Sequence, residues 1–401
     1  MMRRPLFFIF ILCAVIFAGY LSYKKITSYY NLDISTIQKV LKSPSQDIRR
    51  SLKKGADLKN PLILPDGYNI GIFADLKEFG LPRVLRFDGN GVLFTSLTKD
   101  GGVVALPDKN NDGIADQIVT VLAGLNNPHG IEFYGEYLYI AESDKVVRYK
   151  YNPDSFTVGK SELLFNLPDG GRHFTRTINI HDNKLYTSVG SSCDVCLEND
   201  SKRAAILVSE LDGVNLRLFA GGLRNTVFFD FDTQGKLWGN DMGRDFLGND
   251  IPPDELNLIT EDSNYGWPRC FGNRVRDERY RNWESLEACS KTTPSTYDYP
   301  AHVAPLGIRF INSVVFPQDD QSDILVAFHG SWNASPPRGY KIVKLETDGE
   351  NIISMEDFIS GWLTKEDGII GRPVDMIFAD DGVLFISDDK AGVVYIVNKE
   401  L

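Results

Sequence analysis

Gly91-Val-Leu-Phe-Thr-Ser96 is the first of six short stretches that decide the fold of this chain. The other five are Glu136-Tyr-Leu-Tyr-Ile-Ala141, Asn183-Lys-Leu-Tyr-Thr-Ser188, Gly235-Lys-Leu-Trp-Gly-Asn240, Asp323-Ile-Leu-Val-Ala-Phe328 and Gly382-Val-Leu-Phe-Ile-Ser387. Each stretch opens on a turn and continues with apolar residues, with a leucine at its third position. A turn and strand that recur about every 40–50 residues are typical of β-propeller blades. The sequence therefore predicts an all-β, six-bladed propeller.

One spacing between the repeated leucines is longer than the others. The leucines are Leu93, Leu138, Leu185, Leu237, Leu325 and Leu384. The spacing from Leu237 to Leu325 is 88 residues, and the other four spacings lie between 45 and 59 residues. The excess predicts an insertion at roughly residues 241–300. A strand at about Tyr68–Ala74 is predicted to close the ring against the last blade.

A basic or imidazole side chain lies in the segment at the start of the innermost strand of each predicted blade. These side chains are Arg83, His129, His173, Arg224, His302 and Arg372. We call the six segments the pre-strand loops, and in a propeller they converge around the central channel at one face. The formal net charge of the chain is −11. A local ring of guanidinium and imidazole groups in so acidic a protein indicates a site for a compact anion with several carboxylates or phosphates.

The charge and the absence of several motifs exclude other functions. A net charge of −11 argues against nucleic acid as a partner, because phosphate backbones are bound by basic surfaces. No Gly-x-Ser-x-Gly, His-Glu-x-x-His, phosphate-binding loop or dinucleotide fingerprint is present, so a serine hydrolase is not favoured. A lactonase-like metal hydrolase would need carboxylates from several blades at the channel axis, where the pre-strand loops supply few acids.

The first 62 residues do not follow the blade pattern. Arg3 and Arg4 precede an apolar run, Pro5–Leu21, which is at the short end of a membrane span. No small-x-small cleavage site closes the run, which favours an uncleaved signal anchor over residues 1–23 rather than a cleaved signal peptide. Residues 24–62 are predicted to be a stalk, and residues 63–401 the propeller. The two arginines predict that the propeller lies on the extracytoplasmic side, periplasmic or at the cell surface.

The cysteines agree with export. Cys193, Cys196, Cys270 and Cys289 follow the apolar run. A zinc site at Cys193-Asp-Val-Cys196 would need a second such pair, and the sequence holds none. Two local disulfides, 193–196 and 270–289, are predicted instead.

The stretch Asp241–Asn257 concentrates carboxylates directly after the fourth repeated strand. Ca²⁺ takes six to eight oxygen ligands from carboxylates and backbone carbonyls at flexible spacing. A charged loop braced by Pro252 and Pro253, with no ion, fits the same spacing. The spacing alone leaves both interpretations open.

Five blocks of residues carry a resemblance to a known family. They are Gly222-Leu-Arg-Asn225, Pro252-Pro-Asp-Glu-Leu-Asn257, Asn264-Tyr-Gly-Trp-Pro268, His173 followed by Asn183-Lys-Leu-Tyr186, and Phe328-His-Gly-Ser-Trp-Asn333. Over about residues 64–399 the chain resembles the soluble pyrroloquinoline quinone (PQQ)-dependent sugar dehydrogenases, in particular the glucose/sorbosone dehydrogenase-like branch. The resemblance implies a six-bladed propeller that holds PQQ and Ca²⁺ at the top of the channel. PQQ is a planar tricarboxylate, which fits the anion expected above.

The resemblance implies a role for each matching residue. His173 matches the general base, which removes the hydroxyl proton while hydride moves to the quinone. Arg224 and Asn225 match the residues that hold the reactive quinone oxygens, so Arg224 is predicted to take part in catalysis and in cofactor binding. Arg372 matches an arginine that binds a cofactor carboxylate.

Further positions match the remaining cofactor and metal contacts. The backbone carbonyls of Gly243 and Arg244 lie where the family binds the cofactor-associated Ca²⁺. Asn127 or His129 replaces a glutamine that binds the cofactor, and His329 lies near the position of a cofactor lysine.

The chain departs from the family at the residue that orients the base. Ser191 stands where the sugar-oxidising enzymes have an acid, so His173 lacks a group that would raise its basicity. The leading hypothesis is PQQ- and Ca²⁺-dependent oxidation of an aldose sugar or related polyol, with electrons passed to a further acceptor. The alternative is a non-catalytic cell-surface propeller that binds a carbohydrate or protein ligand, which Ser191 and the missing lysine favour.

Overall fold

Each repeated leucine is the first or second residue of the second strand of a four-stranded antiparallel sheet. All six leucines are buried, with at most 3% of their surface exposed. The computed structural model describes residues 55–59, 62–280, 288–349 and 351–399, and these contain six such sheets. The six-bladed all-β propeller predicted from the leucine spacing is confirmed.

The strands follow the chain order within blades 1 to 5. Blade 1 comprises Pro82–Phe87, Leu93–Leu97, Gly102–Leu106 and Val119–Leu122; blade 2 comprises Gly130–Tyr134, Tyr137–Ala141, Lys145–Asn152 and Thr157–Asn166; blade 3 comprises Ile178–His181, Lys184–Val189, Ala205–Glu210 and Arg217–Gly221. Blade 4 comprises Thr226–Phe231, Leu237–Asp241, Asp254–Ile259 and Tyr297–Tyr299, and blade 5 comprises Pro305–Phe310, Ile324–Phe328, Lys341–Thr347 and Ile352–Ile359. Neighbouring blades pack through apolar faces, as where the Phe94 ring of blade 1 meets the Phe133 ring of blade 2 at 4.9 Å.

Blade 6 is built from both ends of the propeller. It comprises Pro373–Phe378, Leu384–Asp388 and Val393–Lys399, and its outer strand is Tyr68–Asp75. The outer strand pairs antiparallel with Val393–Lys399, which confirms the predicted closure. Ala56 exchanges two 2.8 Å backbone hydrogen bonds with Ile72, so residues 55–59 of the predicted stalk already contact this blade.

The predicted anchor, residues 1–23, lies outside the described residues, as does most of the predicted stalk. Among the residues that the structure describes, no helix is long and apolar enough to span a membrane.

The predicted insertion lies between the third and fourth strands of blade 4. It covers residues 260–296 rather than 241–300, because the third strand, Asp254–Ile259, already occupies part of that range. The insertion contains the strand pair Cys270–Phe271 and Val275–Arg276 and the 3-10 helices Glu278–Tyr280 and Ala288–Lys291. A third 3-10 helix, Gln318–Asp320, and the strand pair Leu363–Thr364 and Gly368–Ile369 lie elsewhere. Both predicted disulfides, Cys193–Cys196 and Cys270–Cys289, are present.

The first strand of each blade contacts the first strands of its two neighbours around the channel. Each of these six strands contributes one polar residue to what we call the polar ring: Arg86, Glu132, Asn179, Asp230, Arg309 and Asp375. The contacts between members are Arg86–Glu132 at 3.1 Å, Asn179–Asp230 at 3.3 Å, Asp230–Arg309 at 3.0 Å, Arg309–Asp375 at 3.6 Å and Asp375–Arg86 at 3.4 Å. The ring therefore ties the last blade to the first.

Asp375 is the most enclosed member of the polar ring. It is fully buried, contacts two arginines, and accepts a 2.9 Å hydrogen bond from the backbone of Leu85 in blade 1. A buried charge of this kind depends on its partners, and they depend on it.

We expect Asp375→Asn to lower the free energy of unfolding by about 3 kcal/mol, because it leaves two buried guanidinium groups short of a counter-charge. The matched control is Asp357→Asn, which breaks an ion pair between Asp357 and Lys341. The Asp357 side chain is 55% exposed. That control should cost less than about 1 kcal/mol. Chemical denaturation of both variants measures the difference, and equal costs would contradict a closing role for the polar ring.

Candidate functional site

A pocket of about 200 Å³ lies among the pre-strand loops of blades 3, 4 and 5. We call it the site pocket. Its lining residues are Arg172, His173, Arg224, Asn225, Met242, Gly243, Asp245, Asp254, His302, Ala304, Ser331, Trp332 and Asn333. The structure thus brings together four of the predicted site residues: His173, Arg224, Asn225 and Gly243.

A carboxylate at the end of the second strand holds the Arg224 loop in place. Asp241 accepts hydrogen bonds from the backbone N–H of Arg224 at 2.8 Å and of Asn225 at 2.7 Å, and from the Thr226 hydroxyl at 2.8 Å. Asp388 plays the same part in blade 6, where it accepts the backbone N–H of Arg372 at 2.8 Å. The pre-strand loop is therefore fixed by its own blade before any side chain reaches the channel.

The Gly222–Asn225 block also rests on the Asn264–Pro268 block. Gly222 has a φ of +72°, and a Cβ there would lie 2.2 Å from the Asn264 side-chain oxygen. Its carbonyl accepts a 3.0 Å hydrogen bond from the N–H of Trp267. Only glycine fits this close approach in the left-handed region. Both sequence blocks are thus needed to place Arg224.

His173 is oriented by Ser191, the residue that departs from the family pattern. His173 Nδ1 lies 2.9 Å from Ser191 Oγ and 3.0 Å from the Ser191 carbonyl oxygen. Ser191 Oγ donates its own proton to the Cys193 carbonyl at 2.8 Å, so it can only accept from the imidazole. Nδ1 of His173 therefore carries the hydrogen, and Nε2 is left as a proton acceptor.

The surroundings keep His173 neutral. Burial, reinforced by the positive charge of Arg224, lowers the pKa of His173 from 6.5 to about 3. Gly190 makes this packing possible, since a Cβ there would lie 2.5 Å from Asn225 Oδ1 and 2.7 Å from His173 Cβ. A neutral imidazole with a free Nε2 is the form that a general base requires.

Two carboxylates hold the Arg224 guanidinium: Asp194, which the sequence analysis missed, and Asp245, which it considered only as part of a possible Ca²⁺ site. Asp194 accepts from Arg224 through its side chain at 2.8 Å and through its carbonyl at 2.9 Å. Asp245 lies 3.8 Å from the same guanidinium and also pairs with Arg172. Arg224 is only 3% exposed, so these contacts fix its direction. The cation at this point of the predicted ring is therefore already paired with carboxylates of the protein.

Arg372 and His329 form a second cluster beside the site pocket. The Arg372 guanidinium donates to His329 Nδ1 at 3.3 Å, and His329 Nε2 donates to Asp389 at 2.8 Å. Asp389 also pairs with Arg83. Burial alone would raise the pKa of Asp389, but His329 and Arg83 lower it well below its usual range. The cluster meets the site pocket through Ser331, whose carbonyl accepts from Arg372 at 3.2 Å.

Arg372 differs in its partners from Arg83 and Arg224, two other arginines of the pre-strand loops, which pair with carboxylates. Its guanidinium donates to neutral acceptors, including the Tyr340 hydroxyl at 3.2 Å, and no described carboxylate pairs with it. A half-buried guanidinium without a counter-charge is suited to an anionic ligand.

Asn127 and His129 lie outside the site pocket. His129 is fully buried, its Nδ1 lies 3.1 Å from the Thr177 hydroxyl, and its Nε2 has no partner within the described part of the chain. Burial, together with the charge of Arg83, lowers the pKa of His129 well below 6.5. Asn127 has a φ of +47° and bonds to Asn126 at 3.0 Å. The structure does not bring these two residues to His173.

The carboxylates of Asp241–Asn257 are engaged by the protein itself. Asp254 accepts from the backbone of Gly243 at 2.8 Å and of Ala304 at 2.9 Å, and burial raises the pKa of Asp254 to about 6. Among the described residues, the only triad of potential metal-binding side chains is Cys193, Cys196 and Glu198, and its sulfurs form a disulfide. Any Ca²⁺ here would therefore depend on backbone carbonyls. None of the hydrogen bonds between described residues ends on the carbonyls of Gly243 or Arg244, so both remain available as ligands.

The acids whose side chains hold the cationic groups share one position in the fold. Asp194, Asp245 and Asp389 each lie in the loop between the second and third strands of a blade. In a meander these loops lie at the same end as the pre-strand loops. An acid a few residues beyond each repeated strand was the signal that could have found them.

Comparison with known proteins identifies relatives of the whole propeller. Residues 62–400 match the TrAA12-like family. An uncharacterized protein of Borreliella burgdorferi is 32% identical over 361 residues, covering 86% of this chain and 92% of that protein. A PQQ-dependent pyranose dehydrogenase of Coprinopsis cinerea is 24% identical over 388 residues, covering 80% of this chain and 52% of that protein. The chain thus spans about half of the length of the latter. The predicted resemblance to PQQ-dependent sugar dehydrogenases is confirmed.

Solved structures show the same fold. A calcium structure of a Trichoderma reesei carbohydrate-active enzyme of family AA12 has a TM-score of 0.76 at 21% identity and covers 86% of this chain and 99% of that chain. The holo PQQ domain of Coprinopsis cinerea pyranose dehydrogenase has a TM-score of 0.73 at 20% identity, covering 86% and 98%. A PQQ-bound aldose sugar dehydrogenase of Streptomyces coelicolor has a TM-score of 0.61 at 16% identity, covering 84% and 99%.

We expect Ser191→Asp to raise the pKa of His173, because a carboxylate beside Nδ1 favours the imidazolium. In the unchanged protein His173 should stay neutral down to about pH 3, whereas an unfolded histidine titrates near 6.5. Protonation therefore removes stability as the pH falls between these values, and Ser191→Asp should lessen that loss. NMR titration of the imidazole, assigned with His173→Gln, measures the pKa. Ser191→Asn is the uncharged control, and a pKa that rises equally in both variants would contradict the electrostatic explanation.

Proposed function

The chain belongs to the TrAA12-like family, and on that premise we propose that it is a PQQ-dependent oxidoreductase that oxidises a sugar. The observation that carries the proposal is the neutral imidazole of His173 in the site pocket. Its Nδ1 is engaged by Ser191 at 2.9 Å, so Nε2 can take a proton. The pyranose dehydrogenase and aldose sugar dehydrogenase among its relatives support a cyclic sugar as the substrate class.

In this proposal His173 removes the proton of the sugar hydroxyl. Its low pKa of about 3 keeps Nε2 unprotonated at neutral and mildly acidic pH, so the base is available there. The same low pKa makes the imidazole a weak base, and proton transfer then gains most when the hydroxyl becomes acidic as its carbon loses hydride. PQQ would supply the two-electron acceptor for that hydride.

The neighbouring residues orient the reacting groups. Arg224 is held by Asp194 and Asp245, so its guanidinium does not have to reorganise when negative charge develops on an adjacent oxygen. Asn225 lies beside it in the site pocket and offers an amide donor. Arg372, which lacks a paired carboxylate, would bind a carboxylate of PQQ, with His329 fixing its direction. His129 and Asn127 remain predicted cofactor contacts, although neither lines the site pocket; the buried Nε2 of His129 has no partner among the described residues.

We propose that Ca²⁺ binds at the carbonyls of Gly243 and Arg244. The N–H of Gly243 is bonded to Asp254 at 2.8 Å, which fixes the peptide, and a carboxylate of the cofactor would complete the oxygen ligands. Arg244 itself is anchored by Asp277 at 3.0 Å and 3.1 Å. A cation there would polarise an oxygen of the cofactor.

We further propose that the propeller works outside the cytoplasm. Two disulfides, Cys193–Cys196 and Cys270–Cys289, are typical of proteins that fold in an oxidising compartment. The basic and apolar residues 1–23 remain predicted to act as the export signal and anchor. The electrons would pass from the reduced cofactor to a separate acceptor.

The first test is reconstitution of the purified protein with PQQ and Ca²⁺. We expect a cofactor absorbance that co-purifies with the protein at micromolar PQQ, and reduction of a dye when aldopyranoses are added. Removal of Ca²⁺ by a chelator should abolish turnover if the ion holds the cofactor in place. If PQQ fails to bind at micromolar concentration, the proposed function is wrong and a carbohydrate- or protein-binding propeller is favoured instead.

The second test separates the roles of two residues. His173→Ala should lower kcat by roughly 10²–10⁴-fold, the usual contribution of positioned proton transfer, and leave the Kd for PQQ nearly unchanged. Arg372→Ala should raise the Kd for PQQ by about tenfold or more, because it removes a charge-assisted contact. Equilibrium dialysis and dye-linked kinetics measure the two quantities. If the variants change both quantities alike, this division of roles is incorrect.

A further inference from the structure

Two large aromatic side chains are exposed beside the site pocket. Trp332 is 62% exposed and Phe246 is 71% exposed. Their ring centroids are 5.9 Å apart, with 80° between the ring planes, and Trp332 lines the same site pocket as His173. We call these two residues the aromatic pair. Large aromatic side chains are normally buried. Side chains this exposed contribute little hydrophobic stabilisation to the fold.

The backbone at Phe246 is also unfavourable. Its φ is +63°, in the left-handed region that bulky residues rarely adopt. A strained conformation persists only where the surrounding structure imposes it, and such residues cluster at functional sites. The side chain of Phe246 is mostly exposed and its backbone is strained. Phe246 therefore does not contribute to the stability of the fold in an obvious way, and its presence needs another explanation.

The two loops that carry the aromatic pair are fastened to each other. Asn333 Nδ2 donates to Asp245 Oδ1 at 2.7 Å. Asn249 and Ser335 exchange two hydrogen bonds, from the Asn249 amide to the Ser335 carbonyl at 2.7 Å and from the Ser335 N–H to the Asn249 side-chain oxygen at 3.2 Å. A loop of blade 4 and a loop of blade 5 are therefore joined by hydrogen bonds beside the two rings.

Arg172 connects these joined loops to the candidate base. Its guanidinium lies 5.8 Å from the centre of the Trp332 ring and pairs with Asp245, and the next residue along the chain is His173. The Trp332 ring is thus oriented from one side by a cation, which leaves the remaining ring surface for a ligand.

We propose that the aromatic pair is the subsite that binds the pyranose ring of the substrate, an inference that rests on the proposed function. A pyranose presents a patch of C–H groups on one face and hydroxyl groups at its edge. The C–H patch stacks on Trp332, where the negative face of the ring system attracts it. Phe246 stands at 80° to that surface and forms a side wall. A hydroxyl at the sugar edge then reaches Nε2 of His173.

The aromatic pair therefore selects cyclic sugars rather than open-chain polyols. An open-chain polyol has no fixed apolar face, so it would lose conformational freedom to stack and gain little. A protein electron acceptor could also use exposed aromatic residues. That alternative predicts an effect on the acceptor's kinetics and none on the sugar's.

Phe246→Gly gives the sharpest test, because stability and binding should change in opposite directions. Glycine adopts φ near +60° without strain, so the melting temperature should stay the same or rise. The KM for glucose, galactose and xylose should rise about tenfold, which corresponds to the loss of a stacking wall. A residue with only a structural role would lower the melting temperature instead, and that result, with an unchanged KM, would overturn the inference.

Trp332→Ala tests the stacking surface. The KM for the same sugars should rise at least tenfold, and Trp332→Phe should recover most of the affinity because it keeps an aromatic face. Phe79→Ala is the matched control, since Phe79 is 43% exposed and does not line the site pocket. If the KM for the sugars is unchanged in Trp332→Ala and only the KM for the electron acceptor rises, the pair binds the acceptor and the inference is wrong.

Failure of the proposed function can be told apart from failure of the subsite. Titration of the protein with cellobiose, with and without PQQ, should change the tryptophan fluorescence, and this change should be lost in Trp332→Phe. If PQQ does not bind but the fluorescence change occurs and depends on Trp332, the subsite is supported and the proposed oxidoreductase function is wrong. If PQQ binds and sugars are oxidised but neither Phe246→Gly nor Trp332→Ala alters the KM, the subsite falls alone.

Discussion

The buried charges of the polar ring constrain how the innermost strands of the six blades meet around the channel. The pairing of Tyr68–Asp75 with Val393–Lys399 closes the ring of blades. Arg86, Arg309 and Asp375 add to this closure, because each charge is paired only when strands from different blades meet at the axis. Buried ion pairs contribute little net stability but strongly disfavour arrangements that separate them. The candidate site inherits its geometry from this closure, because its loops belong to the same innermost strands.

Around the candidate site, carboxylates at the ends of the second strands hold the backbone of the pre-strand loops. Asp241 and Asp388 accept the N–H groups of the loops that carry Arg224 and Arg372. A second set, Asp194 and Asp389, then fixes side chains of the cationic groups. The result is a site in which most charges are already paired and directed. Such preorganisation limits the reorganisation that a reaction would otherwise require.

The sequence was sufficient for the blades because a propeller repeats one pattern, and six leucines in equivalent places leave little ambiguity. His173, Arg224 and Asn225 could be assigned to the same region from the sequence, since Arg224 and Asn225 lie immediately before an innermost strand and His173 lies in the corresponding loop of blade 3. Asp194 was missed because it lies inside Cys193–Cys196, which drew attention as a disulfide or metal motif. The limits of the insertion were misplaced because a spacing between leucines does not show which loop of the blade is long. Neither the φ of Phe246 nor the contact between Trp332 and Arg172 can be inferred from spacing, since both depend on how two blades face each other.

The Cys193–Cys196 disulfide couples the geometry of the site to the redox state of two thiols. The loop it closes supplies the carbonyl that fixes the Ser191 hydroxyl and both oxygens that hold Arg224. None of the described four-stranded sheets includes this loop. Reduction of the bond would therefore remove a covalent constraint on the contacts of Ser191 and Arg224 without breaking a strand pairing within a blade.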